Sequence, residues 1–455
     1  MQIGLYHGNR EKSTYIIKKI RPVSIIIMGN DFNGKEDLFE LIKWIKSIYT
    51  KDLKMREPLI AVDQEGGNVA RIRDINYSPG NFALGMLNKK SFSYYSGAIT
   101  GSELRDLGFH WDLAPVLDVL SNMENTSVLE RSFGEYVNIV AENGAYFIRG
   151  IQDYGISATG KHFPGNGSVA EDPHERLPVD RRGIDSVKNT MVPFKRAIDE
   201  GVKSIMVSHV LFESIDPDFP SSLSRKVYEI LRRELGFRGL ILTDSLDMKA
   251  ISNNFTPEEI VKGSYMNGAD ILECVDPDLA LEIHDVLEKT DSGNIEREER
   301  LNDLYIDAKK KARPPEEIMS VISYSIPKWI RKMNLDPDRR ITINYIGSAG
   351  YFPKIIERIR VRLENIGIDV EILDKGSTDS QQMIIIGKNL HLNGMYKHVN
   401  EICKGKKCVF INTGIPYDSL LLDDTIGYVA AMGDKYENVL SSIYAIIGFN
   451  DLDFF

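Results

Sequence analysis

ISATGKHFPGNGSVAEDPHERLP, residues 156–178, begins as an apolar run and ends as a polar loop. The run predicts a buried β-strand that brings Lys161 and His162 to its C-terminal end. The Pro, Gly and Asn residues after it predict a loop carrying Asp172 and His174. Charged and ring-bearing residues crowded at the end of a strand mark a site rather than a core.

The same pattern recurs on both sides of this stretch. Short β-rich runs occur at Val23 to Met28, Leu59 to Asp63, from Phe109, at Lys203 to Val210, from Gly239 and from Ala269. Amphipathic stretches such as DLFELIKWIKSIY and TMVPFKRAIDEGV lie between them, with apolar residues three and four apart. Strands alternating with helices predict parallel βαβ units. About seven or eight such units over roughly 300 residues fit a (β/α)8 TIM-like barrel better than an open sheet. Asp63, His162, His209 and Asp244 each end a run, and in a barrel the C-terminal strand ends converge on one face.

Near Lys309 to Ile318 a charge run meets Pro314-Pro315, which cannot continue a helix. A second strand series follows, starting at Ile341, Ile368, Gln382, Lys407 and Ile426, and predicts a smaller, largely parallel α/β sandwich. The expected division is a catalytic barrel over 1–312, a linker over 313–335 and the sandwich over 336–455. GSAGYFP, from Gly347, resembles a phosphate loop only loosely, because it lacks the full GxGxxG spacing.

The 455 residues carry a net charge of −10, which argues against nucleic acid or an anionic membrane as partner. Three cysteines, Cys274, Cys403 and Cys408, imply no disulfide framework, and Cys403 with Cys408 read as ordinary thiols. The polar N-terminus and the lack of a run of about 20 apolar residues point to a cytoplasmic protein.

Three motifs can carry chemistry. In GLILTDSLDMKA, Asp244 ends a strand, where a carboxylate can attack a carbon or steady a developing cation. The plainer alternative makes Asp244 a helix cap, with Asp247 near the helix dipole. In AVDQEGGNVARI, Asp63 and Glu65 precede a Gly-Gly turn and Arg71 follows, and a carboxylate near an Arg can bind hydroxyls through charge-assisted bonds, or simply form an ion pair within the loop. Arg131, in LERSFGE, adds a cation. Asp172, two residues from His174, can fix the imidazole tautomer and raise its pKa, as a general acid requires. A metal site built from His162, Asp172 and His174 is the rival, although no spacing is diagnostic.

With these residues assembled, the chain resembles glycoside hydrolase family 3, in its β-N-acetylglucosaminidase (β-hexosaminidase) branch. The resemblance rests on DQEGGNVAR, KHFPGNG, DPH and TDSLDM, in that order, within residues 20–310. The segment from Val409 resembles the sandwich that follows the barrel in two-domain members. The resemblance implies a retaining hydrolase that releases terminal β-linked N-acetylglucosamine from an oligosaccharide or glycoconjugate, with no cofactor and no metal. Asp244 would be the nucleophile, and His174, assisted by Asp172, the general acid and base. Asp63, Arg71, Arg131, Lys161 and His162 would bind the sugar. The chain departs from many relatives in having Asn166 for His and Pro173 for Ser or Thr. A β-glucosidase or β-xylosidase, a phosphorylase and a catalytically idle sugar-binding protein stand as alternatives, with a homodimer as an allowed assembly.

Overall fold

A computed structural model describes residues 1–290, 295–305, 313–315, 335–346, 352–373, 381–388, 395–414, 421–431 and 436–447. It also describes 318, 319, 322, 325, 328–331, 333 and 390. The core of the phosphate-loop candidate, residues 347–351, and most of the charge run before Pro314 lie outside the described residues.

Eight parallel strands form the first sheet: β1 (Gln2–Ile3), β2 (Ser24–Ile26), β3 (Leu59–Val62), β4 (Trp111–Asp112), β5 (Ser157–Phe163), β6 (Ser204–Val207), β7 (Leu240–Thr243) and β8 (Glu273–Cys274). Neighbours in the chain pair from β1 through β7, and β8 pairs with β1. A bridge from Leu242 to Ile271 joins β7 to the segment entering β8 and closes the ring. The fold is the expected (β/α)8 barrel. Its first strand, QI, is two residues long and left no apolar run to read.

The helices form because their apolar residues repeat at helical spacing. In Lys35–Ser47, Leu38, Leu41, Ile42 and Ile45 are the buried positions, so one stripe faces inward. The barrel interior is packed with Ile26, Leu59, Ala61, Trp111, Met206, Leu240, Leu242 and Ile271. Trp111 Nε1 donates to Thr159 Oγ1 at 2.7 Å and to Ser204 Oγ at 2.9 Å, satisfying the one polar atom of its indole. This layer is the floor beneath the strand ends.

The chain divides into two compact units, Met1–Ser78 with Asn88–Pro314, and Pro79–Leu87 with Pro315–Phe455. The second holds a six-stranded sheet of β9 (Lys328–Arg331), β10 (Ile341–Ile346), β11 (Val370–Leu373), β12 (Gln382–Gly387), β13 (Lys407–Asn412) and β14 (Gly427–Ala430). Its order is β9-β14-β13-β12-β10-β11, parallel except for the antiparallel pair β9–β14. Ile343, Ile384, Ile386, Val409 and Ile411 pack with residues of the helices Phe352–Glu364 and Tyr436–Ile447, giving the expected α/β sandwich. Strand β9 falls inside the stretch 313–335 expected as linker. KWIR is short and carries two cations, so it shows no strand signal. No described helix is long and apolar enough to cross a membrane.

Candidate active site

A cavity of about 390 Å³ opens at the C-terminal ends of the barrel strands. Asp63, Glu65, Arg71, Arg131, Lys161, His162, His174 and Asp244 all line it. Asp63 follows β3 directly. A small antiparallel ribbon, Gln64–Gly66 with Val69–Ala70, then turns the chain so that Glu65 and Arg71 both reach the cavity. Gly66 has φ 96°, and a Cβ there would lie 2.5 Å from Ser78 Cβ, so only glycine fits the turn.

Lys161 is the hub of a buried charge network. Its Nζ donates to Asp63 Oδ1 at 2.6 Å and contacts Glu65 Oε1 at 2.7 Å. Arg131 grips Glu65 from the other side through two bonds, Nε to Oε2 at 2.9 Å and Nη2 to Oε1 at 2.7 Å. Burial pushes the Glu65 carboxyl up, but Arg131 and Lys161 override it and hold it well below the usual carboxylate range. Burial likewise lowers the Lys161 ammonium, and Asp63 with Glu65 reverses this and raises it. Arg71 lies 3.7 Å from Asp63 Oδ2, so Asp63 faces two cations.

A second carboxylate organises the far side of β5. Asp118, fully buried, accepts from the His162 N–H at 3.2 Å and the Asn166 N–H at 2.7 Å. Its Oδ2 is 2.7 Å from His162 Nδ1. The ring is therefore held with its other nitrogen free. The PGNG loop is pressed against its neighbour here, since a Cβ on Gly167 would fall 2.0 Å from the Val119 carbonyl oxygen.

The loop from Ser168 places His174 on the rim of the cavity, 63% of its side chain exposed. Asp172 Oδ1 accepts from both the His174 N–H at 2.9 Å and Nδ1 at 2.7 Å. Nε2 is thus left to exchange a proton. The Pro173 carbonyl accepts from the Ala250 N–H at 3.1 Å, which ties this loop to the helix Lys249–Ser252 after β7.

Asp244 ends β7 deep in the cavity, 7% exposed, and its Oδ1 accepts from the Ser245 N–H at 2.9 Å. It does not cap the next helix, whose N-cap is Met248. Burial raises its carboxyl, but His162, His209, the Ser245 N–H and Lys161 outweigh this and leave it below its ordinary value. His209 Nε2 is 2.9 Å from the Ser245 carbonyl oxygen and therefore carries the hydrogen, while burial lowers its pKa. It supports the backbone behind Asp244.

His162 Nδ1 pairs with Asp118 and His174 Nδ1 with Asp172, and the rival set of His162, Asp172 and His174 is not brought together. Among the described residues no group of three His, Cys, Asp or Glu is placed to hold a metal ion. In the sequence Asp118 and Glu273 stand in no motif, and Glu65 stands only as a carboxylate before the Gly66-Gly67 turn. Their positions become clear only through partners far along the chain, such as His162, which lies 44 residues beyond Asp118. Arg71 Nε, Asn166 Oδ1 and Glu273 Oε2 are buried on cavity-lining residues, without a hydrogen-bond partner among the described residues. Buried polar atoms of that kind are what a polar ligand satisfies.

Residues 2–305 match the family model described as Glycosyl hydrolase family 3 N terminal domain. A β-hexosaminidase of Nitrosomonas eutropha is 34% identical over 269 residues, covering 57% of this chain and 75% of the relative. A glycoside hydrolase family 3 β-N-acetylglucosaminidase from Paenibacillus sp. str. FPU-7 shares the fold, with a TM-score of 0.86 at 24% identity over 98% of this chain and 95% of that one. NagZ from Neisseria gonorrhoeae, solved with N-trifluoroacetyl-D-glucosamine, is 27% identical with a TM-score of 0.59, over 71% of this chain and 92% of that one.

Proposed function

The chain belongs to glycosyl hydrolase family 3, and we propose that it releases terminal β-linked N-acetylglucosamine from oligosaccharides or glycoconjugates by a retaining double displacement. The observation that carries this is one cavity uniting a buried, ionised Asp244 with a rim histidine oriented by Asp172. One group suits attack and the other proton transfer, and they enter from different loops.

In the first step a carboxylate oxygen of Asp244 forms a bond to C1 of the sugar as the C1–oxygen bond to the leaving group breaks. His174 Nε2 gives its proton to the departing oxygen, and Asp172 steadies the charged ring. In the second step His174 takes a proton from water, whose oxygen attacks C1 and returns the electron pair to Asp244. Asp63, Arg71, Arg131, Lys161 and His162 hold the sugar hydroxyls. Glu65 and Asp118 fix those side chains from behind, so the donors are in place before substrate arrives. A cytoplasmic setting belongs to the same proposal, in keeping with three buried free thiols.

The test is a panel of aryl β-glycosides assayed with and without phosphate. Turnover of the N-acetylglucosaminide, unaffected by phosphate, is expected. Preference for the glucoside or xyloside would overturn the specificity, and glycosyl phosphate as product would make the enzyme a phosphorylase.

A further inference from the structure

Glu273 lines the cavity yet has no part in the mechanism above. Side chains in β8 alternate, and Ile271 packs in the barrel interior with Leu242 and Ile26, so Glu273 points the same way, one layer nearer the mouth. Glu273 is 4% exposed, and Oε2 has no hydrogen-bond partner among the described residues. Its main electrostatic neighbours are the carboxylates of Asp63, Asp244 and Asp247, opposed by Lys161. Burial and these carboxylates push its pKa well above the ordinary glutamate value, which favours the neutral acid, with one O–H to give.

Such a group is costly in a barrel interior. An unpartnered buried polar group loses about 1–3 kcal/mol, and the nearby cavity wall is filled by Met28 and Met206 at no such cost. A carboxyl that no protein group satisfies, aimed into a cavity, is satisfied by what enters the cavity.

Resting on the proposed sugar pocket, we propose that Glu273 is a specificity-determining residue whose carboxyl donates a hydrogen bond to one hydroxyl of the sugar ring held between Asp63 and Asp244. Asp63 and Asp244 accept from or attack the sugar, whereas Glu273 is the carboxyl that donates. A pocket built this way discriminates against a sugar lacking that hydroxyl, because the donor is then left buried and unpaired.

The test compares wild type, Glu273→Gln and Glu273→Leu on aryl glycosides of the sugar that wild type turns over best, and on its 3-, 4- and 6-deoxy analogues. Thermal melting confirms that each variant is folded. Glu273→Leu should lower kcat/KM on the parent by about tenfold or more, and on one deoxy analogue by less than about threefold. Glu273→Gln, which still donates, should stay within about fivefold of wild type throughout. Equal losses of Glu273→Leu on every analogue, no loss at all, or a Gln variant as impaired as the Leu variant would each overturn the proposal. If wild type prefers a sugar other than N-acetylglucosamine, the proposed activity fails while this comparison still reads out Glu273.

Discussion

Lys161 Nζ lies 2.7 Å from Glu65 Oε1, and both side chains are only 2% exposed. Removing the carboxylate would take a buried partner from two cations, since Arg131 makes two bonds to it as well, and leave Lys161 with Asp63. Glu65→Ala should destabilise the barrel by about 3–5 kcal/mol, seen as a lowered melting temperature. The folded pKa of Glu65 is depressed, so its stabilisation is present above the ordinary glutamate value of about 4.3 and is lost as pH falls toward the folded one. Glu65→Gln should therefore lose less stability than wild type on acidification below about pH 4.

Asp112 behaves in the opposite sense. Burial raises its carboxyl to about 8, although Oδ1 accepts from the Gln64 N–H at 2.9 Å. Between about 3.9 and that value the unfolded chain has released a proton that the native protein keeps. Stability is then present at low pH and lost as pH rises, by up to about 1.4 kcal/mol per pH unit. Asp112→Asn keeps the acceptor for Gln64 and should flatten the fall in melting temperature between about pH 5 and 8. An unchanged slope would count against a neutral Asp112.

Asp118 should act on catalysis through His162. Asp118→Asn keeps an acceptor for the two backbone N–H groups but turns an amide donor toward His162 Nδ1, which reverses the tautomer. A loss of about 1–3 kcal/mol in transition-state stabilisation is expected, as a lower kcat/KM with little change in melting temperature. A melting temperature that falls in step with activity would make Asp118 merely structural.

His174→Ala should slow turnover by about 10²–10⁴-fold on aryl glycosides with poor leaving groups. The loss should shrink as the leaving group improves, because a stable phenolate departs without a proton. Asp172→Asn should follow the same trend more weakly. A loss independent of the leaving group would remove His174 from the proton-transfer step.

The barrel was legible because its strands are apolar runs punctuated by helices with one buried stripe, as in Lys35–Ser47. Strands β1 and β9 were not, the first being two residues and the second bearing Lys328 and Arg331. The seven site candidates that line the cavity were recognisable because each ends a strand or lies in a turn near a glycine or another charge. The positions of Asp118 and Glu273, and the partner of Glu65, were hidden for a different reason. Glu65 is defined by Arg131, 66 residues on, and Asp118 by His162, so only the closed ring makes them neighbours. Glu273 lies in a two-residue strand, in a run that reads as ordinary core until the register against β1 is known.

The most direct measurement bears on Asp244. Wild type treated with a 5-fluoro N-acetylglucosaminyl fluoride, which forms the glycosyl-enzyme faster than it is hydrolysed, is digested and mapped by mass spectrometry. One glycosyl adduct on the Asp244 carboxylate, absent from Asp244→Ala, is the expected result. An adduct on another residue, or turnover with inversion at C1 and no adduct, would contradict a retaining mechanism through Asp244.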